Sequence, residues 1–198
     1  MEKPSPNESQ TIVEIGPNWN PVYKLFEDEI LQKIGAGSTY IAIDCSEEEL
    51  GKFKKYPDDP DEKGRHAIVG DLRALPLKDG VADQIWLMNV FGGLENRAKK
   101  LPDGTLRWEM GISGVFHELA RVMKQKGKIY IGELYHPSGK IDWLTDEDYS
   151  IFGLEKKVYN GPEEVESFLK KMRGKESIIE SLQKARDYVP FVIELVKK

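Results

Sequence analysis

Gly16, Asp44, Asp71, Asn89 and Glu133 are the residues on which a chemistry can be built. Each closes a short apolar run: TIVEI, TYIAI, HAIVG, VADQIWLM and KIYIG. A glycine there lets the backbone approach a ligand closely, while strand-end carboxylates and amides exchange hydrogen bonds with hydroxyl and amino groups. Taken singly, Asp, Asn and Gly are ordinary turn formers at such positions. Taken together, Asp44, Asp71 and the Gly16 turn point to a polar ligand site. After the fifth run, ELYHP adds Tyr135 and His136. His136 is the general-base candidate, set against the commoner reading of a polar surface histidine. Cys45 has no evident base beside it and reads as a buried or incidental thiol rather than a nucleophile. His66, His117 and His136 are not at metal-ligand spacing, so no metal site is expected. Gly35-Ala36-Gly37 follows a helical pattern and precedes a strand, the reverse of a phosphate-binding loop, and serves to stop the helix.

These residues need elements to carry them. PVYKLFEDEILQKIG, from Pro21 to Gly35, has apolar residues at helical spacing, proline in its first turn and glycine at its stop. Ser46 is placed to cap a second helix whose first turn holds Glu47, Glu48 and Glu49. The stretch 56–64 is rich in Pro and Asp and reads as a loop. Helical spacing returns over 112–124, with Val115, Leu119, Val122 and Met123 on one face. Beyond Pro137 the pattern predicts a helix near 145–152, a strand near 154–159, and helices near 162–172 and 177–186. YVPFVIEL is then expected to close the sheet as an antiparallel strand. Apolar runs alternating with amphipathic helices are the signature of an α/β fold with a largely parallel sheet. In such a sheet ligands bind outside the carboxyl ends of the strands, which brings the five polar closers to one rim.

Composition narrows the classes. The chain has 198 residues, enough for one domain, with 39% hydrophobic and 32% charged residues. A net charge of −5 argues against a broad basic footprint for nucleic acid. The acidic surplus lies in residues 1–60, with 12 acids against 6 bases. A single cysteine excludes an internal disulfide, and no run approaches the length of a membrane span. MEKPSPNESQ is polar, without the apolar stretch of a signal peptide, and residues 1–10 are expected to be a disordered tail. The expectation is one domain over 11–198, in a cytoplasmic protein.

Four blocks carry a resemblance. EIGPNWNP resembles the first motif of class I S-adenosylmethionine-dependent methyltransferases, with an acid two residues before a glycine turn. YIAIDCSEEEL resembles the family's second strand and its terminal acid. IVGDLRALPLKDGVADQIWLMNVF is similar to the next block, Gly-Asp, Leu-Pro, then an Asp opening the fourth strand. VFHELARVMKQKGKIYIGE resembles the block written as Glu, two residues, Arg-Val-Leu-Lys-Pro-Gly-Gly. Together they run in family order over about residues 11–134. The resemblance implies a Rossmann-like three-layer sandwich around a mostly parallel seven-stranded sheet with an antiparallel C-terminal strand. It implies S-adenosyl-L-methionine as cofactor, with Glu14, Gly16, Pro17 and Asn18 around its methionine end. Asp44 and Cys45 would lie at the ribose, Asp71 and the backbone of Leu72 at the adenine, and Asn89 and Val90 beneath the methionine moiety.

The usual Gly-x-Gly-x-Gly turn is here Gly16-Pro17-Asn18-Trp19-Asn20. Asparagine tolerates positive φ, so the turn can form. Either the amides of Asn18 and Asn20 bind the cofactor carboxylate, or their bulk and that of Trp19 narrow the pocket. Methyl transfer asks mainly for alignment and, for some acceptors, proton removal. The acceptor is expected to be a small molecule, with Tyr135 and His136 as catalytic candidates. The segment 92–114, with Pro102-Asp103-Gly104 between KKL and TLRW, reads as a small hairpin or flap. Only ten residues precede Thr11, so that flap, a second copy or a partner chain is expected to cover the site. The alternative is a methyltransferase-like binding or partner subunit without catalysis.

Overall fold

The apolar runs become the strands of one sheet; TIVEI, VADQIWLM and KIYIG at its centre carry most of their side chains into the cores, while HAIVG at its edge leaves Val69 exposed. The computed structural model describes residues 9–17, 22–54, 64–88, 90, 98–100, 106–108, 112–133, 150, 152–174, 176 and 190–198. The expected loop at 56–63, most of the expected helix at 145–152 and that at 177–186 lie outside the described residues.

Strands β1 (Thr11–Ile15), β2 (Thr39–Asp44), β3 (Arg65–Val69), β4 (Ala82–Met88), β7 (Met123–Glu133), β8 (Leu154–Asn160) and β9 (Phe191–Lys197) form the main sheet. Their order is β3-β2-β1-β4-β7-β9-β8. The first five strands of that order pair in parallel, and β9 is antiparallel to both neighbours. The expected antiparallel closing strand is therefore present, inserted between β7 and β8 rather than at an edge. Strands β5 (Ala98–Lys100) and β6 (Leu106–Trp108) pair antiparallel with each other, apart from the main sheet.

Alternation along β1 explains the three layers. Ile12 joins one core with Val22, Phe26 and Ile30 of the first helices, while Val13 and Ile15 join the other. The first face carries α1 (Val22–Leu25), α2 (Glu27–Gly35), α3 (Glu47–Lys54) and α5 (Pro162–Lys171); α4 (Ile112–Val122) covers the second with Val115, Phe116, Leu119 and Val122. Trp86 is the centre of the first core, with ring centroids 4.2 Å from Tyr130 and 5.1 Å from Phe26.

Two boundaries differ from expectation. The helix expected over 21–35 breaks at Phe26, which leaves helical geometry where its ring lies against Trp86. The 112–124 helix ends at Val122, and buried Met123 already pairs with Ala82 before the ladder resumes at Lys128 and Gln84. The connection at 124–127 folds so tightly that a Cβ on Gly127 would lie 2.7 Å from Met123 Cγ. Ser46 caps α3 as its sequence predicts, its Oγ accepting from the Glu49 N–H at 3.3 Å.

Candidate functional site

The carboxyl ends of β1, β2 and β3 are laced into one rim by their main chain. The Gly16 N–H donates to the Ile43 carbonyl at 2.8 Å, and the Gly70 N–H to the Asp44 carbonyl at 2.9 Å. Gly16 has φ +67°, a left-handed conformation that glycine adopts without strain. A Cβ placed there would meet Val90 Cγ2 at 3.0 Å, so Gly16 and Val90 are direct neighbours across the rim. Gly16, Asp44, Asp71 and Val90 are thus brought together from four separate stretches of sequence. Pro17 is buried beside them, and Leu72 is half-buried against the core under α4.

Asp44 ends β2 with its carboxylate half-exposed. Its Oδ1 accepts from the Ser46 N–H at 2.8 Å, which fixes the side chain in a tight turn. Among the described residues nothing donates to Oδ2. Cys45, expected as a buried or incidental thiol, is exposed, and the Arg73 guanidinium lies within electrostatic reach of it.

Glu14 behaves differently from the other rim candidates. It is 1% exposed and turns toward the helices of the first core. Its Oε1 accepts from the Val22 N–H at 2.6 Å, and its Oε2 accepts from the Tyr40 hydroxyl. A carboxylate at the N-terminus of α1 answers the positive end of the helix and one of its orphan N–H groups. Glu14 therefore ties the end of β1 to the start of α1 and to β2.

Asp71 is held by Arg73. The guanidinium Nε donates to Oδ1 at 2.9 Å and to Oδ2 at 3.1 Å, Nη2 donates to Oδ2, and the Arg73 N–H donates to Oδ1 at 2.8 Å. These bonds hold the Asp71 carboxyl at about 2, well below the usual carboxylate range. The segment after Asp71 is gripped from α4. Arg121 reaches the Leu75 and Leu77 carbonyls at 3.1 and 2.9 Å and Asp79 Oδ1 at 2.6 Å. Glu118 Oε2 accepts from the Leu75 N–H at 2.9 Å.

Asn18, Asn89, Tyr135 and His136 lie outside the described residues, and so does the side chain of Glu133. Tyr40 and Arg73 hold Glu14 and Asp71 without having stood out in the sequence, whereas Glu118 and Arg121 are the Glu and Arg of the fourth block, whose contacts with the segment after Asp71 the resemblance did not imply. Glu118 and Arg121 carried a signal, since three residues apart on a helix they share a face. Arg73 carried only its nearness to Asp71. Among the described residues no helix is long and apolar enough to cross a membrane, and no three His, Cys, Asp or Glu side chains gather as a metal site.

Residues 27–131 match the family model described as a methyltransferase domain. A sequence comparison with curated proteins finds no match. Solved structures share the fold. A Galdieria sulphuraria protein provisionally assigned as a sarcosine dimethylglycine methyltransferase superposes with TM-score 0.59 at 12% identity, over 96% of this chain and 79% of that one. YcgJ of Bacillus subtilis gives 0.55 at 14% identity, over 96% and 92%. Phosphoethanolamine N-methyltransferase 2 of Haemonchus contortus, bound to phosphomonomethylethanolamine and S-adenosylhomocysteine, gives 0.58 at 13% identity; 96% of this chain spans 49% of that one.

Proposed function

This chain belongs to the methyltransferase-domain family, and from that premise we propose that it transfers a methyl group from S-adenosyl-L-methionine to a small-molecule acceptor. The observation that carries the reading is the rim itself. A left-handed glycine whose Cβ would crowd Val90, a strand-end carboxylate with one oxygen that no described residue donates to, and a second strand-end carboxylate stand at the ends of three adjacent strands.

The residues present fit the cofactor. Gly16 leaves the rim open where a Cβ would close to 3.0 Å from Val90 Cγ2. Asp44 Oδ2 is the acceptor for ribose hydroxyls, held in place by the bond from Ser46 N–H to Oδ1. Asp71 and the Leu72 backbone face the adenine, and Cys45 follows Asp44 at the exposed edge of the ribose site. Pro17, Asn18 and Asn89 border the methionine end in this reading, with Glu14 supporting the turn through Val22 and Tyr40. When bound, the sulfonium supplies an electrophilic methyl group, and the chain's own task is alignment. Tyr135 and His136 follow β7 in the sequence, with His136 the base in this reading for an acceptor that must lose a proton. The β5–β6 pair lies in the 92–114 segment assigned to cover the acceptor.

A second reading, a methyltransferase-like partner subunit without catalysis, has one observation in its favour. The Asp71 carboxylate already accepts four hydrogen bonds from Arg73, so an adenine amino group must share or displace them. Assay with methyl-labelled S-adenosylmethionine against small-molecule, protein and RNA fractions separates the readings. Label in the small-molecule fraction is expected. Label only in protein or RNA overturns the acceptor class, and cofactor binding without label in any fraction favours the partner subunit.

A further inference from the structure

Arg121 has five N–H donors, and the structure gives it five acceptors. Nε donates to Glu118 Oε1 at 2.9 Å; Nη1 donates to the Leu77 carbonyl and Asp79 Oδ1; Nη2 donates to the Leu75 carbonyl and Glu118 Oε2. Glu118 Oε2 accepts in turn from the Leu75 N–H. The main chain continues the grip, with Gly80 N–H donating to the Arg121 carbonyl and Val81 N–H to that of Val122. A saturated planar fork of this kind fixes both direction and distance, which a lysine ammonium cannot do.

What it fixes is the backbone that follows Asp71. Ala74 N–H donates to the Asp71 carbonyl, Leu75 is buried under the clamp, and Pro76 folds back onto the rim. A Cβ on Gly70 would lie 2.8 Å from Pro76 Cδ and 2.9 Å from Ile43 Cγ2, so no slack separates this segment from the ends of β2 and β3. We propose that Glu118 and Arg121 are positioning residues for the base end of the cofactor site: from the far end of α4 they set where Asp71 stands on the rim. The proposal rests on the cofactor reading above. It adds a coupling between α4 and the adenine side that reaches the ribose side through the main chain alone, since the Asp44 carboxylate is held by Ser46.

The test is a pair of double-mutant cycles read as the Kd for S-adenosylhomocysteine by calorimetry. Arg121→Lys is expected to weaken binding by about tenfold. Combined with Asp71→Asn, the second change should add little, because both act on the same contact. Combined with Asp44→Asn, the two losses should multiply. General loosening of the fold would not distinguish the two partners. Glu118→Gln keeps the side-chain shape but gives up an acceptor oxygen, and should show the same pattern if Arg121→Lys does not fold. Binding within twofold of wild type, or losses that multiply with Asp71→Asn, overturns the proposal. If wild type binds no S-adenosylhomocysteine, the cofactor reading falls instead. Amide exchange at Leu75, Leu77, Gly80 and Val81 then decides whether the clamp sets the rim: faster exchange in the variants supports it and unchanged exchange overturns it.

Discussion

Gly16 and Val90 meet across the ends of β1 and β4, with a Cβ on the glycine 3.0 Å from Val90 Cγ2. Two separate costs therefore attach to Gly16→Ala: a left-handed φ that an L side chain resists, and a collision with valine. The variant should lose about 2–4 kcal/mol of stability. Adding Val90→Ala should recover the part due to crowding and leave the backbone part, about 1–2 kcal/mol. Urea midpoints of the single and double variants check this, and equal midpoints would show that crowding contributes nothing.

Glu14 divides from the rim acids by what it holds. Its buried carboxylate is taken by Val22 N–H and the Tyr40 hydroxyl, so removing it takes an acceptor from each of two donors. Glu14→Ala should cost about 2–4 kcal/mol, and Tyr40→Phe about 1 kcal/mol. The half-exposed Asp44 should show the opposite balance, with Asp44→Asn changing stability by less than about 1 kcal/mol because the Ser46 turn can be kept. Denaturant melts of the three variants decide it.

Acid should weaken the fold through depressed carboxylates. Hydrogen bonds from Arg73 hold Asp71 at about 2, and those from Arg121 hold Glu118 below its ordinary value. Burial alone would raise the Glu194 carboxyl, but Lys128 at 2.6 Å and the Tyr159 hydroxyl at 2.9 Å bring it below. A folded-state value below the unfolded one means that the unfolded chain takes up protons first. The stabilisation is complete above the unfolded carboxylate range of about 4 and is lost as pH falls toward 2. Asp71 is largely exposed, so solvent screening reduces its share. Urea midpoints should drop below about pH 4 in wild type, and drop less steeply in Glu194→Gln.

Sequence made the frame of this molecule readable, and physics explains where it stopped. Strands packed between helical layers announce themselves as short, largely apolar runs, so β1 to β4 and β7 fall where TIVEI, TYIAI, HAIVG, VADQIWLM and KIYIG lie. Of the polar closers, Gly16, Asp44 and Asp71 stand together at the carboxyl ends of β1, β2 and β3. The family match begins at residue 27, beyond the Gly16 turn, where the asparagine-substituted motif departs furthest from the family pattern. What stayed hidden depends on side-chain direction. Glu14 is two residues from Gly16, yet its side chain goes to the first core on the face it shares with Ile12, where Val22 and Tyr40 take it. Arg121 acts on a segment more than forty residues away in sequence, and no local pattern reveals which carbonyls a guanidinium will reach. The break at Phe26 and the early start of β7 come from packing against Trp86 and Ala82, contacts made only after the layers assemble.

The central claim is that the rim formed by Gly16, Asp44 and Asp71 holds S-adenosylmethionine. Calorimetry with S-adenosylhomocysteine on wild type and Asp44→Ala tests it most directly. The account predicts one site in wild type and a Kd about 10- to 100-fold weaker in the variant, the worth of hydrogen bonds to one charged acceptor. No heat of binding in wild type at high micromolar ligand, or binding that Asp44→Ala leaves undiminished, would contradict it.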